Sequence, residues 1–122
     1  MKTANAVAFL AAACMAVQPF ATEAMTGNDL GKSSPVVRAH YVGAVVDTWI
    51  SLRTLFNSVP DLKPSVPDSV LIDLATCANQ RQMTYEQTAA VVDKFMADNP
   101  AEWGFEMPMI VWMAFQKVCG IK

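Results

Sequence analysis

Met107 to Cys119 reads Met-Pro-Met-Ile-Val-Trp-Met-Ala-Phe-Gln-Lys-Val-Cys, and a helix drawn through it is apolar on every side. Only Gln116 and Lys117 interrupt it, both in the last turns. A surface helix carries a polar face, so this pattern predicts a central helix wrapped by other helices. It is too short to cross a bilayer, which takes about 20 apolar residues. Pro108 suits the first turn, where a missing N–H costs nothing, and Gly120 supplies a left-handed stop. Lys117 sits favourably at the negative end of the helix dipole.

The last residue of the stretch constrains the fold as much as its apolar body. Cys77 lies upstream, shortly before a second helical pattern that begins at Thr84. If the Thr84 and Met107 helices form an antiparallel hairpin, each runs roughly 20 Å at the rise of an α-helix. The second then brings Cys119 back to the place where the first began, beside Cys77. A Cys77–Cys119 disulfide is the geometric expectation, and it presumes an oxidising compartment. Closing a loop of about 40 residues contributes on the order of 4 kcal/mol in the chain-entropy model.

The N-terminus agrees with that compartment. Residues 1–24 read as a secretory signal peptide: Lys2 is the positive start, Ala6 to Val17 an unbroken apolar run, and Pro19 its end. Thr22-Glu23-Ala24 places small residues where a signal peptidase reads. Ala11-Ala12-Ala13 before Cys14 lacks the leucine of a lipobox, so an ordinary cleaved leader is expected rather than a lipid anchor at Cys14. Of the chain's 3 cysteines the leader removes one, leaving the even pair that one structural bridge needs. The chain carries 9 basic and 11 acidic residues, and losing Lys2 and Glu23 keeps the balance at −2. A weakly acidic chain without a basic cluster is not built for nucleic acid or for an anionic membrane surface. Residues 25–122 are expected to form a single helical domain in the periplasm.

Along that domain, Met25 to Ser34 reads as a loose lead-in. Ser34-Pro35 is a helix start, and Val42, Val45, Val46, Trp49, Leu52 and Phe56 then recur at helical spacing up to about Asn57. Gly43 and Ala44 invite the close approach of another backbone. Val59 to Asp68, with three prolines, is expected to be an extended loop. Val70 to Ala75 is a short apolar run that Asp68 or Ser69 caps as a brief helix, with a strand as the alternative. Helix is favoured because no second strand candidate pairs with it. Ala78 to Met83 reads as a polar turn. Thr84 and Gln87 form a capping box for a helix that Asn99-Pro100 ends. Ala101 to Glu106 is a connector with at most one helical turn. The expected architecture is all-α, a bundle of three to four helices with one disulfide.

Catalytic signatures are sparse. His40 is the only histidine, so imidazole pairs cannot bind metal, and no phosphate-binding glycine fingerprint occurs. His40 and Asp47 are two turns apart on one helix, sharing a face without touching. His40 reads as a solvated helix residue, and neither enzyme activity, metal nor cofactor is expected. The methionines at helical spacing read as core filler. Trp103 and Phe105, in the connector with Glu102, are the candidate partner-binding residues, against the alternative that they seal one end of the helical hairpin.

The order of these elements resembles the Rap1a/Tai-type immunity proteins of type VI secretion systems. The likeness runs through Tyr41-Val42-Gly43-Ala44-Val45-Val46-Asp47, Cys77, Met83-Thr84-Tyr85-Glu86-Gln87, Val91-Val92, Phe95-Met96, Asn99-Pro100 and the apolar helix ending at Cys119. It implies a periplasmic, all-helical inhibitor, often dimeric, that plugs the cleft of a cell-wall amidase-type effector. The same resemblance matches Cys77 and Cys119 to a family disulfide. Two other readings are a small periplasmic stress or folding factor that binds unfolded clients, and a hydrolase with an unrecognised site.

Overall fold

The computed structural model describes residues 24–122, and within that range the regular elements are helices, with no strand. The leader read in residues 1–24, with Cys14, lies outside the described residues except for Ala24. Five α-helices follow in order: α1 (Gly27–Lys32), α2 (Pro35–Ser58), α3 (Val66–Arg81), α4 (Tyr85–Asp98) and α5 (Met107–Cys119). A 3-10 turn, Pro100–Gly104, links the last two.

The start signals act through their side chains. Ser34 Oγ accepts the Val37 N–H, and Pro35 opens α2. Thr84 and Gln87 complete a reciprocal capping box on α4, with the Thr84 N–H donating to Gln87 Oε1 at 2.9 Å. Each such cap satisfies N–H groups that the helix itself leaves without partners. Gly120 closes α5 in the left-handed conformation, φ 66°.

Four expectations need correction. Residues 25–34 are not a loose lead-in. Thr26 and Asp29 form a capping box, and Leu30 of α1 is fully buried. The segment is tied down further by the Met107 N–H donating to the Met25 carbonyl at 2.7 Å and by an isolated antiparallel bridge between Thr26 and Glu106. Second, the proline-rich stretch ends earlier than expected. Ser65 caps α3 with Asp68 as its capping-box partner, and Pro67 lies in the first turn, where proline is tolerated. Third, the Val70–Ala75 run is the helix that was favoured over a strand, but it is not brief: it continues through Cys77 to Arg81, taking in most of the expected turn. Gln82 stops it in the left-handed region, φ 48°.

The fourth correction concerns the core. α2, rather than α5, is the spine: it packs along both α3 and α4, while α5 closes the bundle mainly against α4 and α3. Its buried stripe is Ala39, Val42, Gly43, Val46 and Trp49. α5 buries one side only, through Met107, Ile110, Val111, Ala114 and Phe115. Met109 is 53 % exposed, and Trp112 and Met113 are half-buried. With few neighbouring helices a short helix cannot be enclosed, so its residual hydrophobicity faces outward. Phe115, fully buried, meets Trp49 edge-on with ring centroids 5.8 Å apart and joins α5 to the spine.

Cys77 of α3 and Cys119 of α5 form the expected disulfide, with Cα atoms 6.2 Å apart. A second tether lies beside it, the Arg81 guanidinium donating to the Val118 carbonyl at 3.1 Å. Across the spine, Arg38 of α2 pairs with Asp93 of α4 at 3.6 Å and donates to the Ser33 carbonyl at 2.9 Å.

Candidate functional site

The residues singled out in the connector gather at the end of the bundle formed by α1 and the 3-10 turn. Trp103 is only partly free. Its indole N–H donates to the Met96 carbonyl at 2.7 Å, tying the turn to the end of α4. Gly27 packs onto the Trp103 backbone so closely that a Cβ there would lie 3.0 Å from the Trp103 carbonyl oxygen and 2.7 Å from Ile110 Cδ1. Phe105 has its backbone carbonyl engaged by the Gly27 N–H, but its side chain stays half exposed. Glu102 is half-buried, and its backbone carbonyl accepts the Phe105 N–H. Of the three, Phe105 offers the most apolar surface, and Met109 stands one helical turn further on.

A second constellation lies at the other end of α4, where α2, the end of α3 and the start of α4 meet. Tyr85, the first residue of α4, reaches across to α2 and donates its hydroxyl proton to Asp47 Oδ2. His40 meets the Tyr85 ring edge-on, centroids 5.7 Å apart. Its Nδ1 lies 2.9 Å from the Val36 carbonyl, which can only accept, so Nδ1 is the nitrogen that carries the proton in this contact. His40 and Asp47 are thus linked through the phenol between them. Tyr85 itself is 37 % exposed.

Gly43 explains how that ring is seated. A Cβ at this position would stand 2.4–2.7 Å from three atoms of the Tyr85 ring. The close approach is therefore made by an aromatic ring and not by a neighbouring backbone. Glycine inside a helix costs roughly 1 kcal/mol relative to alanine, and the ring contact supplies the reason for it. That glycine, with His40 and Asp47 on one face of the same helix, was the sequence signal pointing here. Nothing in the linear pattern named its partner, 42 positions along.

The floor and walls of this site enclose about 180 Å³, lined by Gly43, Val46, Asp47, Ile50, Ala78, Asn79, Gln82, Met83, Tyr85 and Thr88. Asp47 is the one charged residue among them. Gln82 adopts the left-handed backbone that costs a side-chain-bearing residue roughly 1–2 kcal/mol. Tyr85 titrates above the ordinary tyrosine range, chiefly because its hydroxyl donates to the Asp47 carboxylate and because that negative charge opposes a phenolate. Glu86 is held below the usual carboxylate range by its own backbone N–H, by Thr84, and by the nearby His40.

A third feature is an apolar groove of about 380 Å³ between α4 and α5, lined by Val91, Phe95, Ala114 and Val118 with Lys94, Asp98 and Lys117 at its rim. Among the described residues no group of three or more His, Cys, Asp or Glu side chains could hold a metal ion. No helix of the described range is long and apolar enough to cross a membrane. Compared with known proteins, the chain matches no family model, no curated protein and no solved structure.

Proposed function

We propose that this protein is a periplasmic binding protein of the immunity type, which protects its own cell by occluding the active-site cleft of a peptidoglycan-degrading, amidase-type effector. The observation that carries the reading is the exposure of Phe105 and Met109 at the start of α5, with Trp112 and Met113 only partly covered one turn on from Met109, on a scaffold stapled by Cys77–Cys119. Large apolar side chains exposed together on a small domain mark a protein contact surface. A disulfide of this kind persists outside the reducing cytoplasm, which fits the leader read in residues 1–24. The order of motifs from Tyr41 to Cys119 supports the immunity class. In this reading the chain binds rather than catalyses, and Phe105 with Trp103 and Glu102 forms the leading edge of the contact.

The test is protection. Cells exporting a neighbouring cell-wall hydrolase to the periplasm are expected to survive when they also export this protein, and to lyse when it carries Phe105→Asp. Phe105 is half exposed and lies outside the hydrophobic core, so the substitution leaves the core packing untouched. Full protection by that variant, or none by the parent chain, would overturn the reading.

A second reading, a periplasmic folding factor for unfolded clients, draws on the apolar groove between α4 and α5. Suppression of client aggregation, lost on Phe95→Ser and retained by the Phe105 variant, would favour it over the first.

A further inference from the structure

We propose that the pocket between α2, α3 and α4 is a receptor for one basic side chain, an arginine, presented on the surface of a partner protein. Size and charge point to that ligand, and a third feature, the backbone, marks the place.

The first is size. At about 180 Å³ the pocket is smaller than the 300–1,000 Å³ typical of small-molecule sites. It suits a single side chain.

The second is charge. Asp47 is the only charged lining residue, and the ion pairs among the described residues, Arg38–Asp93 and Lys94–Asp98, do not involve it. Tyr85 occupies Oδ2 of that carboxylate and leaves Oδ1 to an incoming donor. Asn79 and Gln82 add two side-chain amide oxygens that accept no hydrogen bond from the described residues. Tyr85 also lines the pocket and supplies an aromatic wall, which attracts cations. A guanidinium offers five N–H donors in a flat fork, which is the donor set that one carboxylate oxygen, two amide oxygens and an aromatic wall accept. Ile50 and Met83 line the pocket beside the stem such a side chain carries.

The third is backbone. Gln82 holds a left-handed conformation that glycine would take at lower cost, and Gly43 keeps the helix open for the Tyr85 ring. Both choices run against local helix and cap preferences, and both shape this pocket. Residues kept in costly conformations concentrate where a site needs them. The contact lies at the opposite end of α4 from Phe105, about 20 Å along the helix axis. It does not depend on the partner being a hydrolase.

Titration of the isotope-labelled, disulfide-closed protein with acetyl-Gly-Arg-Gly-amide tests it without the partner. Saturable shifts are expected at the Asn79 and Gln82 side-chain amides and at the Tyr85 ring. The citrulline peptide, a neutral isostere, should bind about tenfold more weakly or worse, as loss of a charge-assisted bond implies. Asp47→Asn should weaken the arginine peptide about as much, since it removes the same charge. Glu86→Gln, beside the pocket but outside its lining, should leave binding unchanged. The absence of saturable shifts, equal binding of arginine and citrulline peptides, or equal losses from Asp47→Asn and Glu86→Gln would each overturn the proposal. So would free arginine binding more tightly than the peptide, because the ligand would then be a small molecule and not a partner's side chain.

Discussion

Reducing the Cys77–Cys119 bond is the perturbation with the most direct consequence. The two cysteines are 42 positions apart. In the chain-entropy model, closing a loop of that length removes roughly 13 cal/mol/K from the unfolded chain, or about 4 kcal/mol at 25 °C. Small domains have about 5–15 kcal/mol in total, so the staple is a major part of what holds this one folded. Reduction with both thiols kept in place is better than substitution, because no volume is lost at the half-buried sulfurs. α5 should stay docked at first, since Met107, Ile110, Val111, Ala114 and Phe115 remain buried and Arg81 still holds the Val118 carbonyl. The loss should therefore appear as a cooperative fall in global stability, with little change in helical content before the transition. Urea unfolding followed by circular dichroism reads it directly. With a slope of about 1–2 kcal/mol/M, the midpoint should drop by roughly 2–4 M. A drop below about 0.5 M would refute the reasoning, for the bond would then not be restraining the unfolded chain.

The remaining expectations are smaller in scope. Phe115→Ala should cost about 3–5 kcal/mol, because a fully buried ring stacked edge-on against Trp49 leaves a cavity between α5 and the spine; chemical denaturation measures it. Gly43→Ala should destabilise by about 1–3 kcal/mol, because the new methyl would overlap the Tyr85 ring down to its Cγ and α4 must shift to admit it, and it should abolish the His40–Tyr85 proton contacts seen by NMR. Both tyrosines of the chain should ionise above the ordinary range in a spectrophotometric titration, Tyr41 through burial and then Glu106, Tyr85 through Asp47. Asp47→Asn should return one of the two toward the usual tyrosine value, and an unchanged curve would count against the Tyr85–Asp47 bond. In acid, Asp29 and Asp68 have carboxyls lowered by Thr26 and Ser65 in their capping boxes, and Glu86 is lowered by its own backbone and Thr84. Groups lowered in the folded state stabilise it fully above the ordinary carboxylate range. That contribution should fade as pH falls below about 4, and removing both caps with Thr26→Ala and Ser65→Ala should flatten the fall.

Much of the local structure is written in short-range chemistry. Ser34-Pro35, Thr84 with Gln87, Asn99-Pro100 and Gly120 mark their boundaries because each acts on backbone groups within four residues. The disulfide was legible too, since two cysteines and a helical return leave few ways to pair. Where local signals compete, the linear pattern misled. Prolines at 60, 64 and 67 read as loop, although Pro67 sits in the first turn of α3, where its missing N–H does no harm. Thr26 and Asp29 cap a helix too short to stand out by periodicity, and it forms because Leu30 finds the core and Met107 claims the Met25 carbonyl.

By itself, then, the sequence determined α2, α4 and α5, most of their ends and the bond that closes the bundle. Tertiary packing alone decided that α2 is the spine and that α5 keeps an apolar face in the open. It also decided that Tyr85, Asp47, His40, Asn79 and Gln82 share one site. The reason is physical. Caps and turns act over a few residues, whereas a pocket joins side chains from three helices whose relative positions depend on how every buried face fills space at once.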